Sequence, residues 1–89
     1  MSELEPLISK VSDRLYTATL DNVFFEIEAI GFRFEGGVSQ VVHELRLNGI
    51  IEGELYLVEG ESPVPYLLEA LEAHEFMNDL AGKEGTTTS

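Results

Sequence analysis

An α+β domain built of three helices, a short β-hairpin or strand and a long C-terminal helix is the fold class this sequence predicts. Three observations carry it. Val38, Val41, Val42 and Leu45 recur at i, i+3, i+4 and i+7, one face of a helix, and Asn48-Gly49 follows where a helix end wants positive φ. Leu20, Val23, Phe24, Ile27 and Ile30 repeat that spacing before Gly31. Ser62-Pro63 opens a third periodic run that lasts to Ala81. The alternative is an antiparallel β-meander flanked by two helices, because Asn-Gly is also the strongest two-residue hairpin signal. A turn there would pair Leu47 with Ile50, Leu45 with Glu52, His43 with Glu54 and Val42 with Leu55, mixing apolar and charged groups on both faces. A turn at Gly36-Gly37 fails likewise, setting Glu28 against Leu45 and Ile27 against Arg46. Helices are therefore the expectation.

Taken in order, Ser2 to Leu15 reads as the first helix. Ser2 and Glu5 fit a capping box, Pro6 is tolerated in the first turn, and Leu4, Leu7, Ile8, Val11 and Leu15 form one stripe. Tyr16 to Thr19 breaks that pattern as a short strand. Leu20 to Ile30 follows as a helix, although Phe25-Glu26-Ile27-Glu28-Ala29 alternates as a strand would. Phe32 to Gly37 makes the turn before the helix beginning at Val38. Ile50 to Val58 is extended, with a bend at Gly53. The last helix starts with Ser62 as N-cap and Pro63 at N1 and ends before Gly82. Its apolar arc is Tyr66, Leu67, Ala70, Ala73, Met77, Leu80 and Ala81, with Glu72, Glu75 and Asp79 opposite. Residues 1–82 are read as a single domain and 83–89 as a disordered polar tail.

This order resembles the winged helix-turn-helix superfamily. Thr19 to Gly31 would be its second helix, Val38 to Asn48 its third, and Gly49 to Leu57 a shortened wing. The likeness spans about two-thirds of the chain and is one of periodicity, without a diagnostic motif. It implies that the third helix presents Ser39, Gln40, His43 and Arg46 to duplex DNA.

Composition bears on that implication. The 89 residues hold 17 acids against five Lys and Arg, a formal net charge of −12. Eight acids oppose four bases in residues 1–48, whereas nine oppose Lys83 alone in 49–89. Such a surface repels phosphate backbones and anionic membranes and favours basic protein partners. The would-be recognition helix has a single Arg beside Glu44, and the wing has Glu52 and Glu54, so the phosphate term that drives DNA affinity is missing. With 44% hydrophobic residues the chain has the composition of a folded globule. No apolar run approaches the ~20 residues that span a bilayer. Zero cysteines exclude disulfides and thiolate sites, and Glu3 and Glu5 stand where a secretory signal carries basic residues. A cytoplasmic location is expected.

No catalytic, cofactor or metal site is read from the chain. His43-Glu44 and His74-Glu75 are not a zinc-binding pair, and His74, on the apolar arc, reads as a hydrogen-bonded boundary residue. Glu52, Glu54, Glu59 and Glu61 lack the spacing of a calcium loop. What remains is an acidic surface interleaved with apolar groups: Leu68, Glu72, Glu75, Phe76 and Asp79 on the last helix, with Glu52 and Glu54 beside it. This is what a basic, partly apolar protein partner or a homodimer contact requires. The expected function is a small regulatory interaction module that binds a basic protein surface. It would mimic nucleic acid where that partner handles nucleic acid. The alternative is a DNA-binding transcriptional regulator using residues 38–48.

Overall fold

Three two-residue turns organise the chain. Asp21-Asn22, Gly36-Gly37 and Asn48-Gly49 all have positive φ at both positions, the conformation of hairpin turns whose twist matches that of the flanking strands. They connect β2 (Leu15–Leu20), β3 (Val23–Glu35), β4 (Val38–Leu47) and β5 (Ile50–Val58). A two-residue strand, β1 (Ser9–Lys10), pairs with β2, so the sheet is an antiparallel meander in the order β1-β2-β3-β4-β5. One helix, α1 (Val64–Thr87), packs across it. The computed structural model describes residues 3–87, with side chains as far as Leu80.

This corrects the expected fold: the chain is mostly β and carries no winged helix and no helix-turn-helix. The meander alternative is closer, although the N-terminal flank is a 3₁₀ turn over Glu5–Leu7 in place of a helix. The helices expected over Leu20–Ile30 and Val38–Asn48 are strands β3 and β4. The reason lies in two inserted residues. Ala29 pairs with His43, yet Gly31 pairs with Val42, so Ile30 is an extra residue bulged out of β3. Leu45 pairs with Gly53, yet Arg46 pairs with Ile51, so Glu52 is an extra residue in β5. Each bulge shifts the register by one and moves every residue beyond it to the other face. Unbulged hairpins mix polar and apolar residues; bulged ones sort them.

On the helix side of the sheet, Phe25 pairs with Ala18 and Leu47, Ile27 with Tyr16 and Leu45, and His43 with Leu55. The buried core is Leu4, Ala18, Phe25, Ile27, Leu67 and Leu71, with Leu57 also buried on this face. On the opposite face Glu26, Glu28, Glu44, Arg46 and Glu54 meet solvent. The sheet has one apolar side, and α1 takes it with Leu67 and Leu71 at about 2–3 kcal/mol each. No second amphipathic helix can be buried there, which is why the Ser2–Leu15 stripe fails. Leu4 is buried, while Leu7 and Val11 stay exposed. Ser12 Oγ instead accepts from the Arg14 N–H at 3.1 Å, shaping the β1–β2 turn. Ser2 and its capping box lie outside the described residues.

Other expectations coincide with the structure. Tyr16–Thr19 lies within β2, and the extended run Ile50–Val58 is β5. Ser62 Oγ accepts from the Val64 N–H at 3.2 Å where the N-cap was expected, and Leu67 donates to the Pro63 carbonyl. The α1 backbone continues past Gly82 to Thr87, so it overruns the expected stop. The side chains of the proposed tail, 83–89, lie outside the described set.

Candidate functional site

A helix turns 100° per residue, so α1 presents different chemistry on each side. Leu67 and Leu71 point into the sheet, and His74 meets the Phe25 ring edge-on at 5.5 Å. Asn78 Nδ2 donates to Asp21 Oδ2 at 2.8 Å, tying the helix to the β2–β3 turn. Opposite this line stands Phe76, 65% exposed. Glu72 and Asp79 lie four residues before and three after it, hence beside it on the helix surface, and Glu75 continues the acidic flank. All three acids are exposed. Leu68, expected among them at the surface, is half-buried and packs against the core. Phe76 is therefore the exposed apolar centre of this acidic face.

The other flank of α1 borders a groove. Phe25, Leu45 and Leu47 form its floor, Ala70, Ala73 and Met77 its helical wall, and the bulged Glu52 stands on its rim; its volume is about 270 Å³. The groove would take an apolar side chain and offer Glu52 to a cation. Glu54 lies further along β5, where its Oε1 accepts from the Tyr56 hydroxyl at 3.1 Å. The seven expected partner residues thus divide: Glu72, Glu75, Phe76 and Asp79 on the outer face of α1, Glu52 across the groove, Glu54 on the edge strand, and Leu68 half-buried against the core.

The residues of the DNA reading separate more sharply. In β4, Ser39 and His43 face the helix side, while Gln40 and Arg46 face the open side. His43 is 5% exposed and its Nδ1 has no hydrogen-bond partner among the described residues. It lines a cleft of about 420 Å³ between the β1–β2 turn, Phe32 and the turn at Glu59–Pro63. Arg46 is engaged by three carboxylates: Nη1 donates to Glu44 at 2.7 Å, Nη2 to Glu28 at 2.9 Å and Nε to Glu26 at 3.3 Å. The hydrogen bonds to Glu44, Glu26 and Glu28 raise its pKa further above an already high value. Three of its five N–H donors and its charge are thereby committed to carboxylates of the sheet. Four residues expected on one helix face lie on two faces of a strand, none arranged as a recognition surface.

Sequence reasoning missed two features of the open face. Arg33 stacks over the Tyr56 ring, 4.7 Å from Cζ to centroid, and pairs with Glu35. Gly31, in the register position beside Val42 and Tyr56, adds no side chain to crowd the stack. Knowledge of the Ile30 bulge would have placed Arg33 there. Among the described residues no three His, Asp or Glu side chains converge to hold a metal ion, and no helix is long and apolar enough to cross a membrane.

No family model matches the chain, and comparison with curated proteins and with solved structures gives no match either.

Proposed function

We propose that this protein is a small acidic interaction module, cytoplasmic and non-enzymatic, that binds a basic and partly apolar protein surface through the outer face of α1. The observation that carries this reading is Phe76, an exposed aromatic ring set among Glu72, Glu75 and Asp79. An aromatic anchor with charged neighbours is the arrangement in which apolar burial supplies affinity and charge supplies on-rate and selectivity. The groove beside Met77, with Glu52 on its far rim, supports an adjacent pocket for a second apolar residue of the partner. Where the partner handles nucleic acid, the carboxylates stand in for phosphates.

The test is titration of the intact protein with a synthetic helical peptide alternating Lys and Leu, read by calorimetry at low and at physiological salt. Wild-type protein binds, and affinity falls as salt rises. Reversing Glu72 and Glu75 to Lys weakens binding roughly tenfold and flattens the salt dependence. Phe76→Ala weakens binding at both salt concentrations alike. Equal affinity in wild type and the charge-reversed protein defeats the reading. The DNA-regulator reading has less support, since Arg46 is held by three carboxylates and five cations face 17 acids in the chain.

A further inference from the structure

At the end of the sheet where α1 begins, a cleft of about 420 Å³ lies over the strands. The β1–β2 turn bounds it at one sheet edge, and the segment 59–63 bounds it at the other. Its floor is sheet, with Ala29 of β3 and Val41 and His43 of β4. The volume falls within the roughly 300–1,000 Å³ of small-molecule sites.

We infer that this cleft binds a small organic cation, an amine, amidinium or guanidinium head on an apolar body. Three observations define that ligand. The first is His43, buried in the floor with its Nδ1 unpartnered among the described residues. Its cross-strand neighbours, Ala29 and Leu55, have no polar side chain to offer. Buried polar groups are almost always hydrogen-bonded, so an unpaired imidazole lining a cleft points to a partner from outside the chain. A neutral imidazole has one acceptor nitrogen, which takes an N–H donor.

The second observation is charge. Asp13, Glu59 and Glu61 line the cleft against Arg14, a formal charge of −2 within a chain that carries −12. Such a field draws in a cation and repels carboxylates and phosphates. The three acids are not equivalent. Asp13 pairs with Lys10 at 3.2 Å, and Glu61 accepts from the Val58 N–H and the Tyr66 hydroxyl. Glu59 has no such partner among the described residues, which leaves its carboxylate to balance the charge of a ligand.

The third is the aromatic lining. Phe32, 72% exposed, and half-buried Tyr16 border the same cleft. A ring face attracts a cation, as Tyr56 attracts Arg33 elsewhere on this sheet. The head of the ligand donates to His43 against the Glu59 charge, and its apolar body covers Val41 and Phe32. A free small molecule and an arginine side chain of another protein share this chemistry. None of Glu72, Glu75, Phe76 and Asp79 lines the cleft, so this inference and the α1 reading stand or fall separately.

The test is NMR titration of the intact, isotope-labelled protein with benzamidine. Benzamide and benzoate serve as neutral and anionic probes of the same shape. Benzamidine binds with a Kd on the order of 1 mM, as befits so small a ligand. Amide shifts cluster at Ala29, Val41, His43 and Ser62, and the His43 ring nitrogens shift with them. Benzamide binds more weakly, and benzoate does not bind. Glu59→Gln, at an exposed position, weakens binding roughly threefold and leaves the free spectrum otherwise unchanged. His43→Leu weakens it roughly tenfold; should that variant not fold, Glu59→Gln and the probe series decide alone. The blocked peptide acetyl-Gly-Arg-Gly-amide assigns the source. Binding tighter than benzamidine's supports an arginine side chain, and weaker binding supports a free small molecule. Cleft resonances unmoved at about 20 mM benzamidine overturn the inference. So do shifts confined to residues 72–79, benzoate binding as tight as benzamidine's, or Glu59→Gln affinity equal to wild type.

Discussion

Arg46 illustrates how a single side chain acquires its role from the sheet around it. Glu26 stands directly opposite it on β3, and Glu28 and Glu44 are drawn to the same guanidinium. Removing the cation leaves three partly shielded carboxylates facing one another. Arg46→Met is therefore expected to destabilise the fold by about 2 kcal/mol, or about 12 °C in Tm. Added salt restores part of the loss by screening the carboxylates, and thermal denaturation with and without salt checks both effects. Tyr66 offers a second test. Its hydroxyl donates to Glu61 Oε2 at 2.9 Å, and this hydrogen bond, with the Glu61 charge, raises its pKa above the ordinary tyrosine value. The contribution is present below that ordinary value and is lost as pH rises through the raised one. NMR titration of the Tyr66 ring should show ionisation delayed to higher pH, and Glu61→Gln should remove the delay. Neither role was legible in the sequence, because each depends on partners supplied by register or by the β5–α1 turn.

At the scale of the element, the two bulges decide the fold. Val38, Val41, Val42 and Leu45 satisfy helical spacing, and they satisfy strand spacing only in part, since Val41 and Leu45 face α1 while Val42 faces solvent-side Tyr56. The ambiguity is real at the level of pattern, and an unbulged hairpin resolves it the wrong way. The extra Glu52 brings His43 opposite Leu55 in place of Glu54. Deleting Glu52 joins Ile51 to Gly53, which already pair with the adjacent Arg46 and Leu45. The hairpin should then close regularly with Leu55 still opposite His43 and lose less than about 1 kcal/mol, whereas inserting an alanine between Glu54 and Leu55 should cost several kcal/mol by turning Leu55 and Leu57 away from α1. Urea denaturation distinguishes the two, and an insertion as mild as the deletion would refute this account of the register. The turn residues were visible but misread, with Asn48-Gly49 taken as a helix end, a hairpin at Gly36-Gly37 rejected and Asp21-Asn22 placed in a helix. Asp-Asn, Gly-Gly and Asn-Gly are residues that tolerate positive φ, and all three dipeptides occupy hairpin turns.

Across the whole molecule, one helix on one face of a meander leaves the other sheet face and the distal hairpin open among the described residues. Net charge of −12 on this thin scaffold adds self-repulsion, so Tm should rise with moderate salt; a fall would mean that specific ion pairs outweigh it. The candidate site follows from the same geometry, with the acids Glu72, Glu75 and Asp79 on the outer face of α1. By itself the sequence determined the acidity, the C-terminal helix with its Ser62-Pro63 start and the extended run Ile50–Val58. These depend on local chemistry: charge count, capping and alternation. Only the tertiary structure decided that residues 20–48 are strands, that Ile30 and Glu52 are bulged and that His43 is buried. Leu68 packed half-buried against the core, and Phe32 and Phe34 turned to the helix side by the Ile30 bulge, belong to the same class. A bulge costs ladder hydrogen bonds locally and is stabilised only by the apolar face it aligns beneath α1, an energy that no window of neighbouring residues contains.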